Sequence, residues 1–69
     1  MRTYTAVVEK DRDAGLYVGY VPGFTGAHSQ GATLDELQKK LQEVISMLLE
    51  DSIAQPQSDF VGTQAIQVA

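Results

Sequence analysis

Residues 11–36, Asp11 to Glu36, read DRDAGLYVGYVPGFTGAHSQGATLDE. The stretch contains a turn, a strand, a Pro-Gly corner, a second short strand and the start of a helix. Asp13, Ala14 and Gly15 supply turn chemistry between two apolar runs. Pro22 cannot donate to a sheet ladder, so the strand before it stops or reaches an edge there. Thr33 followed by Glu36 fits a capping box, in which paired side chains satisfy orphan backbone donors at a helix start.

Working outward, Thr3 to Glu9 alternates and is rich in β-formers, with Tyr4, Ala6 and Val8 on one face. Lys10 to Gly15 is a hairpin loop. Leu16 to Val21 is a second strand, and two strands this close in sequence pair antiparallel. Gly26 to Gln30 is a short third strand. A helix runs from Thr33 to about Asp51, with Leu34, Leu37, Leu41, Val44, Ile45 and Leu48 forming an apolar stripe. Asp35 and Glu36 suit the positive end of its dipole. Met47 and Leu49 broaden the apolar surface late in the helix. Asp51 to Asp59 is a connector containing Pro56, and a last strand of about five residues falls between Phe60 and Ala69.

The expected order is β-β-β-α-β, an α+β fold with one helix packed on a small mixed sheet. The crossover through the helix places the last strand parallel to the first and beside it. One helix covers one sheet face. The other face then carries Tyr4, Val8 and Tyr20, or Val7, Tyr17 and Val21, according to registry. Either set is more apolar than a solvated face, which predicts a homodimer or a protein partner.

With 69 residues the chain reads as one domain, 1–69. A chain of that size buries only about 60% of the surface it exposes when unfolded, and oligomerisation is a common remedy. It has no cysteine, hence neither a disulfide nor a thiolate metal site. Nine acidic against five basic side chains give a net charge of −4, which argues against direct nucleic-acid binding; it suits a basic partner, although most mildly acidic domains are simply soluble. The N-terminus has no signal-peptide pattern, and no apolar run approaches a membrane span. A cytoplasmic location is expected.

No residue set points to catalysis. His28 is a lone histidine with no cysteine, which does not make a closed metal site, and no nucleophile is placed near it. Asp11 and Asp13 lack the further ligands of a calcium loop, so a solvated hairpin accounts for them better. Gly23, Gly26 and Gly31 lack the Gly-Lys-Ser/Thr ending of a phosphate loop. No cofactor is expected. Tyr4, Tyr17, Tyr20 and Phe24 are candidate interface anchors or, alternatively, ordinary sheet residues.

These residues resemble the HicB-like antitoxin family of toxin–antitoxin pairs. The resemblance runs through Tyr17-Val18-Gly19-Tyr20-Val21-Pro22, Phe24-Thr25-Gly26, and Ser29-Gln30-Gly31-Ala32-Thr33-Leu34-Asp35-Glu36-Leu37. Pro56 is similar to the proline that often precedes the family's last strand. Gly23, Ala27 and Ala32 depart from the acidic, cysteine and acidic residues common at those places. The resemblance implies a partial ribonuclease-H-like fold without ribonuclease activity. It also implies a partner, a small basic HicA-like toxin that cleaves mRNA with a histidine and is masked by this chain. Larger members append a DNA-binding domain. With this sequence running only to Ala69, operator binding is not expected. Glu9, Asp11 and Asp13 form an acidic loop suited to a basic toxin surface. The alternative is a homo-oligomeric structural or regulatory module of the same fold with no toxin. A small hydrolase is disfavoured for want of a catalytic set.

Overall fold

A computed structural model describes residues 2–50 and 57–69. Three strands, β1 (Val7–Lys10), β2 (Tyr17–Tyr20) and β3 (His28–Gly31), form an antiparallel sheet in the order β1-β2-β3, and the helix α1 spans Leu34–Glu50. The α+β class and the first four elements are those expected. The connector at 51–56 lies outside the described residues.

The strands are shorter than their β-forming runs because pairing, not propensity, sets their ends. β2 stops at Tyr20, opposite Val7, so Thr3 to Ala6 have no ladder partner. Tyr4 turns instead toward the corner after β2, its ring 5.7 Å from that of Phe24. β3 begins at His28 rather than Gly26 because Gly26 belongs to that corner, with a φ of 87°.

The β1–β2 hairpin is closed by Asp11. Its Oδ1 accepts the backbone N–H of Asp13 at 2.9 Å and of Ala14 at 3.2 Å, while its own N–H donates to the Leu16 carbonyl at 2.8 Å. This side-chain turn is why a short aspartate starts the loop.

Between β2 and β3 the chain makes a corner around Pro22–Gly26. Val21 N–H donates to the Ala27 carbonyl at 2.9 Å, and Ala27 N–H to that of Phe24 at 3.0 Å. Pro22 sits where no donor is needed. Gly23 has a φ of 77°, and a Cβ there would lie 2.8 Å from the Ser58 backbone nitrogen. Glycine is required on both counts. The corner folds Val21, Phe24 and Ala27 into a buried cluster, against which Tyr4, Ala6, Ile45 and Leu48 pack.

α1 begins where its capping signal predicts, with the Thr33 half of the expected box formed and the Glu36 carboxylate engaged elsewhere. Glu36 N–H donates to Thr33 Oγ1 at 3.1 Å, and Leu37 N–H to the Thr33 carbonyl at 3.0 Å. The Glu36 carboxylate turns to Lys40, one helical turn on, at 3.0 Å. That hydrogen bond and charge, then the Ala32 backbone N–H, hold its carboxyl below the ordinary range. A lowered folded-state value favours the fold above the unfolded pKa, and the contribution is lost as pH falls through the folded one. The pair is solvent-exposed, so the effect is small.

The helix lies on β2 and β3 and leaves β1 uncovered. Two glycines set this position. A Cβ on Gly19 would meet Leu37 and Leu41 methyls at 3.1 Å, and one on Gly31 would lie 2.8 Å from the Leu37 backbone nitrogen. Leu37 and Leu41 are the buried residues of the stripe. Val44, Ile45 and Leu48 are half-buried, whereas Leu34 at the first turn is 56% exposed.

The expected last strand is not formed within the chain. Residues 59–69 contain no regular secondary structure, and the sheet is antiparallel rather than mixed. The segment has strand-forming side chains but no ladder partner. Val61, Ile66 and Val68 are 96%, 77% and 87% exposed.

Three outcomes follow from this packing. Gly31→Ala should destabilise the fold by about 1–3 kcal/mol, because the added methyl meets helix backbone that cannot rotate away. Gly19→Ala should cost less, since it meets only leucine methyls. Thr33→Ala should cost about 0.5–2 kcal/mol through loss of the cap. Thermal or urea melts of the purified variants measure all three. Equal costs at Gly19 and Gly31 would contradict the geometry described.

Candidate partner-binding surface

Strand pairing decides which residues share a face. The partners Val8↔Gly19↔Ser29 and Lys10↔Tyr17↔Gly31 lie on the helix side, because Gly19 and Gly31 are under α1. Val7↔Tyr20↔His28 and Glu9↔Val18↔Gln30 therefore face the other way. The open face thus combines Val7, Val18 and Tyr20 with Glu9, His28 and Gln30. Neither trio offered by the sequence occurs, because Tyr4, Val8, Tyr17 and Val21 all belong to the helix side.

The open face has an apolar centre and a polar rim. Val7 and Val18 are half-buried, and Tyr20 is 45% exposed. A shallow depression between β2 and β3 is lined by Val18, Tyr20, His28, Ser29 and Gln30. It is open to solvent, broad and mixed in polarity. That shape suits a protein surface better than an enclosed small molecule.

The residues singled out from sequence do not converge, and Tyr4 packs against the buried cluster rather than standing free. Tyr20 and Glu9 stand on the open face and are exposed. Tyr17 is on the helix side, half-buried, with the Lys10 ammonium 5.4 Å from its ring centre. Asp11 and Asp13 are exposed at the hairpin tip, where the Asp11 carboxylate is engaged in closing the turn. Lys10 and Arg12 alternate with these acids and dilute their field. Phe24 is 4% exposed and belongs to the core. Its aromatic ring suggested an interface anchor, but the corner folds inward over Ile45 and Leu48.

Val18, His28 and Gln30 were not singled out for partner binding, and Val7 only within one of two alternative trios. They lie on three strands, and only the register shows that they adjoin Tyr20. Alternation within each strand was the available signal, but it leaves the relative phase of the strands open. No cluster of three or more metal-ligating side chains occurs among the described residues. No helix among them is long and apolar enough to cross a membrane.

The profile of a family described as the HicB-like antitoxin of bacterial toxin–antitoxin systems matches residues 4–68. The chain belongs to the HicB-like antitoxin family. Its relatives include UPF0150 proteins of Synechocystis and Archaeoglobus fulgidus, each 38% identical over 94% of this chain and 93% of the relative. A UPF0150 protein of Thermotoga maritima is 34% identical over 97% of this chain and 91% of its own length. No solved structure gives a significant match. For this antitoxin-family chain, the uncovered three-stranded face is the candidate contact surface.

Stability measurements separate core from surface. Phe24→Ala should destabilise by about 3–5 kcal/mol, and Tyr20→Ala by no more than about 0.5 kcal/mol. Urea denaturation of both variants tests this. A large cost at Tyr20 would place it in the folding core instead.

Proposed function

We propose that this chain is an antitoxin that neutralises a small, basic, HicA-like ribonuclease by binding it and masking its active site and RNA-binding surface in the cytoplasm. The observation that carries this reading is family membership across residues 4–68. The chain's charge supports it. With a net charge of −4, the protein attracts a basic nuclease, and electrostatic attraction raises the association rate more than it prolongs the complex.

The surface divides the work between two regions. Tyr20, flanked by Val7 and Val18, supplies an aromatic anchor on the open face, and desolvating it holds the complex together. Glu9 stands on the same face, and Asp11 and Asp13 extend the acidic edge to the hairpin tip. These three guide a basic partner and lie at the rim.

The test is co-expression with the neighbouring toxin gene, followed by binding kinetics. The chain should restore growth that the toxin alone blocks. Glu9→Gln, Asp11→Asn and Asp13→Asn together should slow association at low salt and leave dissociation nearly unchanged. Asparagine at position 11 still accepts the turn hydrogen bonds. Tyr20→Ala should instead accelerate dissociation. Growth that stays blocked would refute the antitoxin reading. So would RNA cleavage by the purified chain that disappears on mutating its own carboxylates. A triple variant that associates as fast as the parent at every ionic strength removes the acidic edge from the docking surface.

A further inference from the structure

We propose that the segment Phe60–Ala69 is an exchange strand, which leaves its own chain and adds to the free edge of β1 in a second copy, whose own segment does the same in return. The motivating observation is a strand-forming segment without a sheet, beside a sheet without its last strand. In Phe60–Ala69, FVGTQAIQVA, the residues Phe60, Ile66 and Val68 share one face when extended. Phe60 is 41% exposed, and Val61, Ile66 and Val68 far more. So much apolar surface in so short a segment of a small acidic protein is the mark of an interaction site.

The segment does not fold back on its own body. Gln57 N–H donates to the Gly23 carbonyl at 2.6 Å, and Ser58 packs against Gly23. Beyond that anchor, residues 59–69 are all exposed. The radius of gyration is 13.4 Å, against about 11 Å for a compact chain of this length. Ten extended residues reach about 33 Å, enough to cross to a neighbouring sheet.

The receiving site is β1. The order β1-β2-β3 leaves its outer backbone groups unpaired. The helix covers β2 and β3 but not β1, so Val8 on the helix side is 44% exposed. A strand added outside β1 pairs that edge and covers Val8 with its own apolar face. The edge of β3 is less suitable, since that strand already lies under α1.

Charge selects a second copy over the basic partner proposed above. Phe60–Ala69 contains no Asp, Glu, Lys or Arg, in a chain of net charge −4. A neutral apolar strand has nothing to attract a basic surface, yet lets two acidic chains meet where neither carries charge. Because edge and strand belong to the same chain, reciprocal exchange satisfies both at once and closes with two-fold symmetry. This inference does not rest on the toxin reading.

Sedimentation equilibrium and amide hydrogen exchange on the full chain test it. The parent should be a dimer at micromolar concentration, with both the outward β1 amides and the Phe60–Ala69 amides protected. The double variant Ile66→Glu, Val68→Glu should weaken the dimer at least roughly tenfold and release both sets of amides. The mutated side chains are exposed, so helical circular dichroism should remain. Ala65→Pro, which removes a ladder donor without adding charge, should act the same way. A parent that is monomeric, with its tail amides either protected in cis or exchanging freely, overturns the proposal. So does a dimer that survives both variants, or one whose β1 amides stay unprotected.

Discussion

The contact on which the rest of the structure depends is the approach of α1 to the backbones of β2 and β3. Gly19 and Gly31 carry no side chain, so Leu37 and Leu41 rest directly on the strands. Ordinary side chains would lift the helix, and in a chain this small little else could close the gap. The helix follows the glycines. It therefore sits off-centre, over two strands of three, and β1 is left uncovered. The exposure of Val8 on β1 follows from where those two glycines lie.

The corner at Pro22–Gly26 complements that contact. It turns Phe24 inward and lets Tyr4, the start of a potential strand, become part of the core. It also holds the chain on its far side, because Gly23 accepts a hydrogen bond from Gln57 and leaves room for Ser58. One tight turn thus packs the helix's later half and aims the C-terminal segment.

The resulting surface has regions of different physical character. The hairpin and open sheet face combine carboxylates with an exposed tyrosine, a mixture suited to steering followed by desolvation. The C-terminal segment is uncharged and apolar, and it presents unpaired backbone. A strand of that kind is satisfied by a sheet edge rather than by a charged face. Membership in the HicB-like antitoxin family directs attention to these surfaces as places of contact.

The local elements were legible because local rules govern them. Thr33 and Glu36 marked the helix start, the leucine spacing marked its buried side, and Asp11 with Gly15 marked the hairpin. The family was equally legible, since the spacing of Tyr17–Pro22, Phe24–Gly26 and Ser29–Leu37 is a property of the chain itself. Strand phase was not. Alternation says that Val7 and Val8 face opposite ways, but only the register Val7↔Tyr20 and the seat of Leu37 on Gly31 say which one faces the helix. For the same reason Phe24 passed for a surface anchor until the corner was seen to fold inward. The C-terminal segment marks the limit most clearly: its residues determine that it can be a strand, but pairing is a property of two strands, and tertiary structure decided that its own sheet does not provide the second.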